Sequence, residues 1–422
     1  MQYDVIIVGA SFAGLALAHH LPRSLRVLIL DRKRALDAAV ESTGLITIAT
    51  KKLFAEFTDV EKFIPNDITT IGVVSPDYEK YFFSHTEQPW IHSTDTPKLL
   101  EHIAKTLPEN VELKLSALVQ GYSIDETAEF SVSLRYKFSG EEQIASGKFL
   151  VGADGSHSIV AKESLELSKN KHFLGAMEKV FFGDITFGPA PQNSVYHFWF
   201  GEFSLGYGGW LSPTVIDGKN AFRLGLAKLQ KDISSLRRLD DFIRILQEKK
   251  IIQMAPDAQS LVTFGSLIPI GGALKKVFTN YSLLIGDAAG LCGAFAADGI
   301  KGALVSAKVA ASLIPRHLKG ERNVLRKFYP TIERDYGKLM TYYHKQLLYR
   351  FVWDRMKSDR SFMAMYDLIA RSQDEFLAQF CDSKEKGKGL LRVVLKMKNI
   401  PLLCKYAWYL WCDLFKRSSR ER

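Results

Sequence analysis

Gly9, Ser11, Ala13 and Gly14, followed by Asp31, are spaced as the contacts of a dinucleotide require. Val5 to Val8 is a short apolar, β-branched run, the composition of a strand covered on both faces. Gly9 makes the tight turn out of that strand, and Gly14 lets the next helix lie close upon it. The free N–H groups at that helix N-terminus, with the positive end of the helix dipole, suit a pyrophosphate. Ser11 stands where a middle glycine is usual, and its Cβ narrows the approach. Pro22 closes the helix. Asp31 ends a second short strand, Val27 to Leu30, where a carboxylate can accept hydrogen bonds from a ribose diol. Alone, this unit would bind any dinucleotide.

A second constellation lies far downstream, in Leu283 to Ala303 (LLIGDAAGLCGAFAADGIKGA). Gly286 and Asp287 follow a buried strand, and Ala288, Ala289 and Gly290 leave little bulk around the carboxylate. It can accept from the hydroxyls of a ribityl chain. Asp298, Gly299 and Ile300 lead into the helical stretch Lys301 to Ile314. The N-terminus of that helix would stabilise negative charge near N1 and O2 of a reduced flavin ring. Together the two constellations point to FAD, its adenine end at the first and its ring end at the second. A third segment, Phe149 to Ser158 (FLVGADGSHS), carries Asp154 and Gly155 after a buried strand and is by itself a turn signal.

With these three segments the chain resembles the FAD-dependent oxidoreductases of the glutathione-reductase-type superfamily. The branch it resembles holds p-hydroxybenzoate-hydroxylase-like monooxygenases, geranylgeranyl reductases and flavin halogenases. The resemblance implies an α/β fold, α+β overall: a Rossmann-like FAD-binding domain, an inserted sheet-rich substrate domain and a helical C-terminal region. It also implies that Asp154 and Gly155 lie near both FAD and a nicotinamide donor. The family pattern there ends in Arg, where this chain has Ala161 followed by Lys162. The electron donor is therefore open between NAD(P)H and a reduced electron carrier.

Within the branch, Gly206-Tyr207-Gly208-Gly209-Trp210-Leu211-Ser212-Pro213 is similar to the Gly-Tyr-x-Trp-x-x-Pro element that lines the substrate cavity of geranylgeranyl reductases. One extra glycine precedes the Trp, and the common following lysine is Thr214. The segment Glu41 to Leu45 lacks the cysteine often found there in such reductases. Tyr207 and Trp210 are thus candidates for the substrate cavity, the other reading being aromatic core filling. No proton donor can be assigned as a catalytic residue. The preferred expectation is reduction of double bonds in an isoprenoid or lipid. The alternatives are a monooxygenase acting on an aromatic or polyketide substrate, and a flavin-binding protein without catalysis.

The motifs also divide the chain. Residues 1–70, 92–165 and 275–325 are expected to form the FAD-binding domain, residues 71–91 and 166–274 the substrate domain, and residues 326–422 a helical region. Asp95-Thr96-Pro97-Lys98 should cap a helix running to Thr106. Arg32-Lys33-Arg34 reads as a solvated loop, and His19 and His20 as surface or cap residues. Four cysteines without ligand spacing argue against a metal site, and Cys292 is either near the flavin ring or a small apolar filler. The absence of a long apolar run, and an N-terminus that opens on a core strand, predict a cytoplasmic protein.

Net charge is +10, with eight basic and two acidic residues from Arg392 onward. No basic–aromatic nucleic-acid module is visible. Leu390 to Phe415 instead interleaves Trp408, Tyr409 and Trp411 with Arg392, Lys396, Lys398 and Lys405. That pattern predicts peripheral association with an anionic membrane surface on the cytoplasmic side, or else a helical cap with solvated charges. Pro401 is expected to break the segment into two short helices, and Lys405 and Asp413 argue against spanning.

Overall fold

In the computed structural model, which describes residues 2–37, 42–187, 195–201, 208–229, 238–256, 258–371, 373 and 396–415, the chain opens on β1 (Gln2–Val8), α1 (Phe12–His20) and β2 (Val27–Leu30). β1 and β2 are buried because strands flank them and helices cover their faces, which suits their Val, Ile and Leu content. α1 is apolar all round and buried from Phe12 to Ala18, as a helix packed between a sheet and a second helix must be.

β1 lies inside a seven-stranded sheet whose order is Val111–Lys114, β2, β1, β3 (Glu141–Gly152), Val132–Phe138 and Leu118–Ile124. One edge of β3 pairs in parallel with β1. Its other edge is shared. Residues 141–147 pair antiparallel with Val132–Phe138, and residues 150–152 pair in parallel with Ser282–Leu284. The capped helix α2 (Thr96–Lys105) starts as expected, with the Asp95 side chain accepting from the Lys98 N–H and Pro97 in the first turn.

The second seven-stranded sheet runs in the order Gln259–Pro269, β4 (Phe173–Phe182), β6 (Lys219–Leu229), β5 (Gly208–Ile216), Val195–Trp199, Thr70–Val74 and Tyr81–His85. Strand alternation gives it two different faces. Phe222, Leu224 and Leu226 of β6 pack with Leu239, Phe242 and Leu246 of α3 (Arg238–Glu248). The intervening Arg223, Gly225 and Ala227 therefore face the other way, where Arg223 reaches the Ser42 carbonyl.

The helices that follow include α4 (Gly299–Leu318), α5 (Leu339–Trp353), α6 (Asp359–Ala370) and α7 (Ile400–Phe415). α7 begins where Pro401 predicts a boundary: a short turn, Met397–Asn399, ends just before it, and Pro401 sits in the first turn of α7, where a missing N–H costs no helical bond. The part of the expected first helix before residue 396 lies outside the described residues. Asp413 anchors α7 to the start of α6. Its buried carboxylate accepts from the Lys357 N–H (2.8 Å), the Ser358 N–H (3.1 Å) and the Ser361 hydroxyl (2.6 Å). His19 and His20 depart from a surface reading. Both are half-buried beside Phe57, and burial pushes both imidazoles below their ordinary pKa. Among the described residues no helix is long and apolar enough to cross a membrane.

Candidate active site

β1, β3 and Ser282–Leu284 are parallel neighbours, so the turns that follow them leave the same edge of the sheet. That topology alone brings together Gly9, Asp154 and Asp287 from three distant parts of the sequence. At Gly9 the backbone has φ +107, and an added β-carbon would overlap the Ala153 carbonyl. A β-carbon on Gly14 would overlap the Gly9 carbonyl, so α1 can lie this close to the turn only with glycine there. The Ser11 side chain makes no capping bond, which leaves the first N–H groups of α1 open. Ser11, Phe12 and Ala13 all line the cavity at this edge.

Asp31 lines the same cavity and ties the turn to β2. Its carboxylate accepts from the Ala10 N–H (2.6 Å) and the Lys33 N–H (2.8 Å). Asp154 works within its own turn, accepting from the Ile159 N–H (2.6 Å) and the Val160 N–H (3.3 Å), while its other oxygen is buried without a partner among the described residues. Gly155 has φ +78 and open space around it. Asp287 differs from both: no hydrogen bond reaches its carboxylate from the described residues, and burial pushes its pKa up to about 6. Gly286, with φ +57, makes the turn before it. Gly299, the first residue of α4, would place a β-carbon 2.9 Å from the Asp287 carboxylate. Glycine there keeps the α4 N-terminus close to the acid, and Gly299 and Ile300 line the cavity beside it. Cys292 also lines it, and burial, with the nearby carboxylates of Asp287 and Asp298, pushes its thiol well above the ordinary pKa.

The cavity has a volume of about 1380 Å³. That exceeds the ~300–1,000 Å³ typical of a single small-molecule pocket. Its far end is apolar, walled by Trp90, Phe200, Tyr349, Trp353, Ile369 and Tyr406.

The FAD binding domain family matches residues 2–326. The chain belongs to that family. It is an FAD-dependent oxidoreductase, as the paired constellations required. Over 94% of its length it is 23% identical to digeranylgeranylglycerophospholipid reductase 3 of Methanosphaera stadtmanae, covering 96% of that protein. A geranylgeranyl bacteriochlorophyll reductase-like protein of Thermoplasma acidophilum shares the fold, with a TM-score of 0.77 at 15% identity over 97% of this chain and 99% of that one. An FAD-dependent monooxygenase of Penicillium crustosum is 32% identical, but over only 38% of this chain and 36% of that protein.

The residues present fit FAD. Two helix N-termini without side-chain caps open on one cavity, glycines stand where β-carbons would push the surrounding turns apart, and Asp287 offers a half-buried carboxylate without a partner among the described residues. Trp210 lines the cavity as well, while Tyr207 lies outside the described residues. The Trp210 indole N–H donates to Glu178 (2.7 Å), and Glu178 pairs with the fully buried Arg223 (3.3 Å). Arg223 also donates to the Ser42 carbonyl (2.7 Å), fastening the second sheet to a segment that lines the cavity. Burial pushes the Glu178 carboxyl up, against the opposing pull of Arg223 and Trp210.

Glu178 and Arg223 were not singled out from the sequence, nor was Gln346 on α5. A signal existed for Arg223. It is a charged residue between Phe222 and Leu224 at the alternating position, which on a buried strand demands a partner. Gln346 had none, since its partners lie on a distant loop.

Proposed function

We propose that this oxidoreductase reduces double bonds of a long isoprenoid chain carried by a lipid, and that it takes its substrate at an anionic membrane surface. The observation that carries the reading is the single cavity: it runs from the strand ends to an apolar wall of C-terminal helices and exceeds the space one ligand needs. Full-length similarity to a lipid reductase supports it.

In this reading Gly9, Ser11, Ala13 and Gly14 let the pyrophosphate approach the open N-terminus of α1. Asp31 receives the adenosine ribose, Asp287 the ribityl hydroxyls, and Gly299 and Ile300 the ring. Asp154 and Gly155 shape the approach of the electron donor, either NAD(P)H or a reduced carrier. Bound FAD supplies the two-electron chemistry. The protein's part is to orient and to exclude water. Trp90, Phe200, Trp353 and Ile369 hold a flexible apolar chain out of solvent, and Trp210, fixed by Glu178, presents a flat wall beside it.

The outward face of α7 supports the membrane reading. Trp408, Trp411, Leu414 and Phe415 are exposed, while Tyr406 of the same helix lines the cavity. Aromatic residues of this kind settle at headgroup depth, and each nearby basic residue adds on the order of 1 kcal/mol on an anionic surface. Flotation on acidic vesicles checks this: wild type should float at low salt and the Trp408→Ser/Trp411→Ser double variant should stay behind. If wild type stays behind too, the membrane reading fails.

The partial match to a fungal monooxygenase favours hydroxylation as a second reading. One experiment separates the two. Reduced protein is mixed with a geranylgeranyl lipid while oxygen and product mass are followed. Gain of two hydrogens per double bond with no oxygen uptake is expected. Oxygen consumed in step with product would replace the reductase reading with the monooxygenase one.

A further inference from the structure

Gln346 is 2% exposed in the middle of α5, and all of its polar atoms are spent on one loop. Its side-chain oxygen accepts from the Phe295 N–H (2.9 Å) and the Ala296 N–H (2.8 Å), and its amide donates to the Asp298 carboxylate (3.4 Å). One turn earlier, the Tyr342 hydroxyl donates to the other Asp298 oxygen (3.1 Å), and the neighbouring Tyr343 hydroxyl reaches the Asp298 carbonyl (3.5 Å). Burial pushes both hydroxyls well above their ordinary pKa, so both remain donors. Residues 295–298 line the cavity and run directly into the first turn of α4.

That loop carries backbone strain and is closed by one internal bond, from the Ala297 N–H to the Gly293 carbonyl (2.9 Å). Ala297 sits at φ +54, in the left-handed region that an alanine enters only at a cost. On its α5 side the loop has been thinned to the limit. A β-carbon on Gly293 would collide with Asp298 and come 2.5 Å from the Gln346 amide, and one on Gly302 would come 2.8 Å from the Tyr343 hydroxyl. The Phe295 ring meets Trp353 of α5 nearly edge-on at 5.1 Å. A leucine at position 346 would pack the helix as well as glutamine does. What glutamine adds is an acceptor for two N–H groups of a loop whose other side must stay open to the cavity.

We propose that α5 completes the FAD site, with Gln346 and Tyr342 as positioning residues for the 295–298 loop, so that docking of α5 and binding of FAD are one linked equilibrium. Linkage makes the effect reciprocal: a docked α5 tightens FAD, and FAD secures α5. This rests on the family's binding of FAD and not on the lipid substrate, so a failed lipid assay leaves it standing.

The test titrates apoprotein with FAD for wild type, Gln346→Met and Tyr342→Phe, following flavin fluorescence and the visible bands. Backbone amide exchange over residues 339–353 is measured with and without FAD. Gln346→Met, which leaves two N–H groups without an acceptor, should raise the FAD Kd about tenfold or more, and Tyr342→Phe roughly threefold. Both should shift the flavin bands. FAD should slow exchange along wild-type α5 by about fivefold or more, and by less in Gln346→Met. Wild-type affinity and bands in both variants would overturn the proposal, as would α5 exchange in wild type that ignores FAD. If Gln346→Met does not fold, Tyr342→Phe, which removes one hydroxyl, and the wild-type exchange measurement still decide it.

Discussion

The two ends of the cavity are built by different means. At the strand ends the walls are backbone: glycine turns at Gly9 and Gly286, the open N-termini of α1 and α4, and carboxylates at fixed places after strands. At the far end they are side chains drawn from separate segments, among them Trp90, Phe200, Trp353, Ile369 and Tyr406. A backbone wall tolerates almost no added atom at a few positions and is indifferent elsewhere. A side-chain wall responds to every substitution a little, because its shape is a sum of volumes. An arrangement of the first kind suits a cofactor of fixed shape, and one of the second kind suits a substrate to be tuned for.

The sharpest way to break this contrast is Gly14→Val. Its β-carbon would overlap the Gly9 carbonyl, so α1 must move off the turn and FAD should be lost entirely. A yellow variant with wild-type Tm would show that the strand-end wall is as forgiving as the other. Next in size is Asp413→Ala, which strips the acceptor from two N–H groups and a hydroxyl at the start of α6. We expect about 2–4 kcal/mol of lost docking and rapid proteolysis within residues 396–415. Burial works to raise the Asp413 pKa, but bonds from Ser361, Lys357 and Ser358 outweigh it and hold the group below its ordinary value. Its contribution is therefore full above the ordinary carboxylate pKa of ~3.9 and lost as pH falls through the lower native value. Asp413→Asn should flatten that acid limb.

Asp287→Asn should act with opposite signs on stability and on binding. The native carboxyl is raised from 3.8 to about 6, so across that window the folded apoprotein holds its proton more tightly than the unfolded chain. Apoprotein stability then falls as pH rises from about 4 to about 6 and levels off above. Removing the charge should stabilise the apoprotein at pH 7 by on the order of 1–2 kcal/mol, discounted for partial exposure, while FAD binds more weakly. Melting with pH and FAD titration measure the two sides. The smallest effect is expected at the apolar end. Ile369→Val should cost about 0.5–1.5 kcal/mol, read as a higher KM for a long-chain substrate with kcat and flavin bands unchanged.

The same contrast explains what could be read from the sequence. Gly9, Gly14, Asp31 and Asp287 announce themselves because a backbone-built site needs particular residues at fixed offsets from a strand. Even so, the bonds from the Ala10 and Lys33 N–H groups to Asp31 were not visible, since a ribose contact and a turn lock look alike in sequence. Trp210 was legible as cavity or core, and it is cavity-lining and packed at once, over a glycine on which a β-carbon would strike its ring. The Glu178–Arg223 pair and Gln346 stayed hidden because each meets its partner across elements that no local spacing relates. Pro401 was legible because proline is tolerated in the first turn of a helix and not inside it, and α7 starts at Ile400.

The divided edge of β3 has a consequence in time. Its first half can pair with the Val132–Phe138 hairpin, and β1 can join it, once about a third of the chain has left the ribosome. The remaining stretch of that edge waits for Ser282–Leu284, and the loop that α5 secures waits for Gln346. At ~5–20 residues per second, the nascent half-sheet must last for on the order of ten seconds or more with Leu150 to Gly152 uncovered, while five of the second sheet's seven strands are made. Contacts so distant in sequence form slowly, and an open apolar edge is where another chain can add. Chaperone dependence and misfolding in this protein should therefore concentrate in that interval, before any flavin can be held.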